Sequence, residues 1–212
     1  MEALDTSPAA ARRPVQARSQ RTRARLLGAC IDVLAQSGYA GATTTAIADA
    51  AAVSQGALYK HFPSKLDLLE AALFQVLADA RAHFATAFAR DRDARTDAAG
   101  AVFRHLWDVF TSPQLQAAFE LYLAARTDPD LALRVVPIIE HHRSEIIEGA
   151  KELFPDTARE HENYAGAVNA LISTLQGAAM VSALLPPENT FVETQRRSIE
   201  RMIRTEFARR TP

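Results

Sequence analysis

The sequence predicts an all-α protein of about nine helices, the first three forming an N-terminal helix-turn-helix unit. Three observations predict this. Apolar residues recur at helical spacing along the chain, beginning with Leu27, Cys30, Ile31 and Leu34 at i, i+3, i+4 and i+7. Cap and breaker residues punctuate those stripes at Gly38, Ser54, Pro63, Pro155 and Pro186-Pro187. No alternating β-branched run of strand length occurs, and no internal repeat of solenoid period is evident.

The elements follow in order. Residues 1–14 combine small residues with Pro8 and Pro14 and show no apolar period, so a disordered tail is expected. The first helix carries the Leu27 stripe and stops at Gly38. Thr43 or Thr44 caps the second, which runs to about Ala51 with Ile47 inward. After a three-residue turn, Ser54 caps the third, which ends near Phe62 because Pro63 follows. Ser64 and Asp67 resemble a capping box and open a long fourth helix. Its inward stripe is Leu66, Leu69, Leu73, Val76/Leu77 and Phe84. Charge-dense residues 90–97 (RDRDARTD) read as a loop. Phe103, Trp107 and Phe110 mark the fifth helix. Ser112-Pro113 and Asp128-Pro129 each set a cap before a first-position proline and start the sixth and seventh. Pro137 should kink the seventh. A long eighth helix is expected over about 157–185, and a ninth over about 190–208. The expected domains are a tail at 1–14, a helix-turn-helix domain at 15–63 and a second helical domain at 64–212.

A chain of 212 residues is long enough for one or two domains with a core of their own. No apolar run reaches the ~18–20 residues that cross a bilayer. The N-terminus lacks the apolar stretch of a secretory signal. No membrane partner is therefore expected. Cys30 is the one cysteine, so no internal disulfide forms, and a reducing cytoplasm is the expected compartment. On the apolar face of the first helix, Cys30 reads as an inert buried thiol. The net charge of −1 divides unevenly: residues 1–65 sum to +4 and the remainder to −5. A basic N-terminal third suggests that this end meets a polyanion. Simple solvation of an Arg-rich segment is the plainer alternative.

The chemistry concentrates in Ile47–Leu69 (IADAAAVSQGALYKHFPSKLDLL). The third helix would be roughly 11 Å long at about 1.5 Å per residue, and the DNA major groove is about 12 Å wide. Leu58 and Phe62 point inward and anchor it. Gly56 and Ala57 are small enough for the backbone to approach base edges. Gln55 offers a donor and an acceptor to adenine. Tyr59, Lys60, His61 and Lys65 suit phosphate oxygens. The exposed amides near Thr44 and Thr45 form a further phosphate site. Arg18 and Arg21 belong to the Arg-rich segment 12–25, which could neutralise phosphates or enter the adjacent minor groove.

Residues 18–69 resemble the DNA-binding domain of the TetR family of bacterial transcriptional regulators. The match runs through Gly38-Tyr39, Thr43, Ile47-Ala48, Val53-Ser54, Gly56, Leu58-Tyr59, His61-Phe62, Lys65 and Leu68-Leu69. The resemblance implies that Thr44, Thr45, Gln55, Ala57, Tyr59, Lys60, His61 and Lys65 occupy DNA-contact positions. One departure is Ala52, where many members carry Gly before Val53. Should that turn residue need φ > 0, alanine costs of order 1 kcal/mol.

The resemblance further implies a homodimer through the last two helices and a C-terminal pocket for a small-molecule effector. Tyr164, Val168, Leu171, Ile172 and Leu175 form one face of the eighth helix. Ile199, Met202 and Ile203 share a face of the ninth. Two such helices from each subunit could build a four-helix bundle, while the same stripes could instead face their own core. For the pocket, Phe103, Trp107, Phe110, Phe119 and Tyr122 are candidate walls, and Asn169 and Gln176 candidate polar anchors. An aromatic set with few polar groups hints at an apolar or aromatic effector. Aromatic stripes at helical spacing are equally the mark of an ordinary core. The function so implied is a repressor that binds a palindromic operator and is released by its effector.

No G-x-S-x-G elbow, phosphate-cradling Gly loop or H-E-x-x-H occurs, so nothing points to an enzyme. His141 and His142 are adjacent and diverge by about 100° on a helix, which hinders a shared metal. No Cys/His cluster has zinc spacing, and neither metal nor cofactor is expected. A DNA-binding protein without an effector, or one that recruits a protein partner, differs only in the C-terminal body.

Overall fold

A computed structural model describes residues 8–186 and 188–207, with side chains from Gln16 onward. These residues form ten α-helices and one 3-10 turn at Arg92–Arg95, with no strand among them. The all-α expectation holds. The chain divides into two compact units, residues 1–72 and 73–212.

The first unit contains α1 (Pro8–Gly41), α2 (Thr44–Ala50), α3 (Gln55–His61) and the start of α4 (Lys65–Arg90). Of the tail expected at 1–14, residues 1–7 lie outside the described residues, and 8–14 are the first turns of α1. Proline at a first helical position forfeits no hydrogen bond, and the Ala9–Arg13 run is made of strong helix formers. Gly38, at φ 66° and ψ −176°, breaks the helix where the sequence places its stop, and a short helical segment beyond the kink runs on to Gly41. Leu26, Cys30, Leu34, Ile47, Leu58, Leu68 and Leu69 are almost wholly buried and form this unit's core. Burial pushes the Cys30 thiol up to about 12, so it stays protonated.

Side-chain caps fix the short helices. Thr43 Oγ1 accepts from the Ala46 amide and Ser54 Oγ from the Ala57 amide. Ser64 and Asp67 bond reciprocally, the Ser64 amide to Asp67 Oδ2 at 3.0 Å and the Asp67 amide to Ser64 Oγ at 3.1 Å.

The second unit holds the rest of α4, then α5 (Ala98–Phe110), α6 (Pro113–Ala125), α7 (Pro129–Leu153), α8 (Pro155–Glu160), α9 (Tyr164–Ser182) and α10 (Thr190–Phe207). The count is ten because the stretch read as one long eighth helix is two. His161 is extended at φ −87° and ψ 114°, and Asn163 caps a new helix by accepting from the Gly166 amide. α7 continues through Pro137 to Leu153. No helix among the described residues is long and apolar enough to cross a membrane.

Candidate nucleic-acid interface and interior cavity

The turn from α2 to α3 spans Ala51–Ser54 and sets the angle of α3. Ala52 has φ 49°, the one non-glycine residue described with positive φ. Its amide bonds Asp49 O at 2.9 Å, and the Val53 amide bonds Ala48 O at 3.0 Å. This pair is the Schellman closure of a helix, whose left-handed position glycine usually takes. The sequence therefore locates the strain correctly at Ala52. Arg25 reaches across from α1 and donates through Nη2 to the carbonyl oxygens of Ala51 and Ala52. Two carbonyls at the end of α2 thus gain a charged donor. Arg23 lies over the Phe62 ring, 5.1 Å from its centroid, at the far end of α3. These two arginines brace the motif, a task that charge counting alone could not separate from phosphate binding.

With Leu58 buried beneath it, α3 turns Gln55, Gly56, Tyr59 and Lys60 to solvent, and leaves Ala57 and His61 half-buried. Gln55 Nε2 donates to Thr45 Oγ1 at 2.6 Å, and Thr44 Oγ1 sits 3.3 Å from the Tyr59 hydroxyl. Thr44 and Thr45 on α2 and Gln55 and Tyr59 on α3 thus form one hydrogen-bonded polar surface. Lys65, at the start of α4, holds its ammonium 4.4 Å from the Tyr39 ring centroid. Arg18 and Arg21 are exposed on α1.

The second unit holds a cavity of about 430 Å³, partly open to solvent, lined by α4, α5, α7 and α9 together with Leu115 of α6, Phe154 and Phe207 of α10. Its aromatic lining is Phe110 and two close pairs, Phe84 with Phe88 at 5.8 Å and Phe154 with Phe207 at 5.9 Å. Of the expected pocket residues only Phe110 lines it. Phe103, Trp107, Phe119, Tyr122, Asn169 and Gln176 do not, and the reason is helical phase. α5 presents Val102, Leu106 and Val109, and α9 presents Val168, Leu171 and Ile172. Residues one position away are rotated by about 100°. Phe103 is instead fully buried, with Arg196 over its ring at 5.8 Å and Trp107 at 6.0 Å. Phe119 packs tilted against Phe110 and Tyr122 tilted against Phe119, and burial pushes the Tyr122 hydroxyl up to about 12. Asn169 Oδ1 accepts from Arg143 Nη1 at 3.0 Å. The missed walls were legible in part, since Phe84 and Phe88 stand at i, i+4 on α4.

Four side chains on the wall are charged or polar: Arg81, His142, Glu145 and Glu152. Arg81 Nη2 pairs with Glu145 Oε2 at 2.7 Å, and Arg81 Nη1 lies 2.5 Å from His142 Nδ1. Burial, then the charges of Arg81, Arg143 and His141, push the His142 imidazole down to about 4. No group of three or more metal-ligating side chains occurs among the described residues.

The stripes expected at a dimer interface lie against their own chain. Tyr164, Val168, Leu171, Ile172, Leu175, Ile199 and Ile203 are buried within their own chain, and of that set Met202 alone is exposed. The opposite side of α9 exposes Ala170, Ser173, Gly177, Val181 and, just past its end, Leu184. On α10, Phe191 and Met202 are exposed, 56% and 51%.

Two short capped helices crossing over a buried Leu58, with a polar outer face on the second, define a helix-turn-helix DNA-binding protein. Comparison narrows this. Residues 26–72 match the family described as bacterial regulatory proteins, tetR family. An uncharacterized HTH-type transcriptional regulator of Mycobacterium tuberculosis is 32% identical over 174 residues, covering 82% of this chain and 89% of that protein. A TetR-family transcriptional regulator of Streptomyces coelicolor superposes with a TM-score of 0.66 at 27% identity, over 88% of this chain and 96% of the other. The multidrug binding protein EbrR, solved with imidazole, superposes at 0.59 with 25% identity, over 85% and 93%. The chain belongs to the TetR family. It is a DNA-binding transcriptional regulator and not an enzyme.

Proposed function

We infer that this chain is a homodimeric repressor that binds a palindromic operator and releases it when a small apolar or aromatic effector enters the cavity. The observation that carries the reading is the polar outer face around α3. Gln55 and Tyr59 lie exposed beside Thr44 and Thr45, with Lys60 next to them and no core side chain intervening. Gln55, Gly56, Ala57 and Tyr59 read bases, whereas Thr44, Lys60, His61, Lys65, Arg18 and Arg21 hold phosphates. The residues expected as the DNA-binding domain, 15–63, supply that face, and 64–212 supply dimer and cavity.

The dimer face is the exposed side of α9 and α10, Ala170, Ser173, Gly177, Val181, Leu184, Phe191 and Met202. Small residues admit a partner helix closely, and large ones fill the gaps. Such a two-fold dimer sets its two recognition helices about one DNA turn apart, hence an inverted-repeat operator. The cavity is of ordinary size for a small-molecule site. A structural relative is named as a multidrug binding protein, which accords with an apolar effector here. An effector lowers operator affinity only by its preference for the DNA-incompetent form. Such a regulator acts in the cytoplasm, where the DNA lies.

Selection of bound sequences from random duplexes tests this reading. The expected product is an inverted repeat, bound by two chains, with affinity falling steeply as salt rises. Recovery of a single half-site bound by one chain would overturn it.

A further inference from the structure

The charge arrangement on the cavity wall narrows what can enter. The one cation there, Arg81, is already occupied by Glu145 at 2.7 Å. Glu152 adds a second carboxylate on the same wall. An anionic ligand would therefore meet two carboxylates and no uncommitted cation. A cationic ligand could pair with Glu152, an exposed residue, but would give up the rest of its hydration to a lining that is otherwise alanine, glycine, valine, leucine, isoleucine and phenylalanine.

The His142 imidazole offers a neutral hydrogen-bond donor. Guanidinium can only donate, so Arg81 Nη1 fixes His142 Nδ1 as the acceptor. The imidazole hydrogen then resides on Nε2, which makes no hydrogen bond to another described residue, and His142 lines the cavity. The ring stays neutral at ordinary pH because it is buried among positive charges, Arg81, Arg143 and His141. A neutral N–H donor in an apolar chamber suits one uncharged acceptor, and the Phe84–Phe88 and Phe154–Phe207 pairs suit flat rings.

We propose that the cavity takes an uncharged, largely aromatic molecule with a single carbonyl-type oxygen, which accepts a hydrogen bond from His142 Nε2. This inference rests on the effector reading given above.

Three probes of one shape test it by titration calorimetry on the full chain: 4-acetylbiphenyl, 4-ethylbiphenyl and biphenyl-4-carboxylate. The ketone is expected to bind about fivefold tighter than the ethyl compound, the worth of one buried hydrogen bond. The carboxylate is expected to bind at least about tenfold weaker than the ketone, because it must desolvate beside Glu145. His142→Phe should bring the ketone and ethyl affinities together, and His142→Gln, which retains a donor, should restore part of the gap. Should His142→Phe fail to fold, the wild-type ranking and His142→Gln still decide. A carboxylate that binds tightest, or a ketone preference untouched in His142→Phe, would overturn the proposed ligand class alone. Gly149 lines the cavity with open space where its Cβ would stand, so Gly149→Phe should block all three probes. Failure of every probe to bind, or binding that Gly149→Phe leaves intact, would overturn this inference and the effector reading together.

Discussion

In the first unit the candidate contact residues are polar and stand outside short, capped helices; in the second, apolar residues surround a hollow. Both are built from amphipathic helices, yet they fail differently under rotation. Turning α3 by one residue, about 100°, would put Leu58 into solvent and Tyr59 into the core. Its polar face is therefore fixed by its apolar one. Turning α5 or α9 by one residue exchanges one apolar face for another, because these helices are apolar on several sides. A surface site is pinned by contrast between polar and apolar neighbours. An interior site built from uniform material is not.

The proposed dimer face offers the sharpest way to break this comparison. The double change Val181→Glu, Leu184→Glu places charges on exposed apolar positions and should weaken association by about a hundredfold, roughly 2–3 kcal/mol. The melting temperature of each subunit should change little. Leu175→Ala, at a fully buried position of the same helix, should instead cost about 2–5 kcal/mol of stability. Sedimentation and thermal melts separate the two. Equal loss of assembly in both would return the dimer contact to the inward stripe.

Acid sharpens the contrast next. His142 sits near 4 when folded against an ordinary 6.5 when unfolded. The unfolded chain therefore binds an extra proton between those values. The stability in question is complete above pH 6.5 and is lost as pH falls toward 4. Allowing for partial solvent screening, the loss is of order 1–2 kcal/mol. His142→Gln should flatten the wild-type slope across that window. Asp91 and Asp97, held below the usual carboxylate range chiefly by hydrogen bonds from Arg104 and Arg204, respond only below about 3.8. Denaturation midpoints against pH read the difference, and parallel curves for wild type and variant would contradict it.

The smallest effect lies in the turn. Ala52→Gly removes the left-handed strain at φ 49° and gives back part of the gain as unfolded-state entropy. A net stabilisation of about 0.5–1 kcal/mol is expected, read by urea denaturation. A destabilised variant would mean that Ala52 is not strained.

The same contrast explains what the sequence made legible. Caps at Thr43, Ser54, Ser64 and Asp128 announced helix starts because a short side chain before an apolar run has few other uses. The polar surface of Thr44, Thr45, Gln55 and Tyr59 followed from a dense motif and an anchored Leu58. Which arginine braces and which stays exposed did not follow. Arg25 and Arg18 are alike in sequence, and only the position of the Ala51 carbonyl separates them. The cavity walls were misjudged by one residue on α5 and α9, since aromatic content marked the dense core around Phe103 rather than the hollow beside it. The break at 161–163 was missed because Glu160, His161 and Glu162 carry no strong breaker, and the helix start there depends on Asn163.

The central claim is that the outer face of α3 meets duplex DNA. The most direct measurement titrates Tyr59→Ala and Lys60→Ala proteins against the selected operator at several salt concentrations, with Lys151→Ala on α7 as the control. Tyr59 is 47% exposed, so the fold should survive its loss. Each α3 variant should bind about tenfold or more weakly, and Lys60→Ala should also lower the salt slope by about one. Operator affinities and slopes equal to those of the wild-type protein in both α3 variants would contradict the claim.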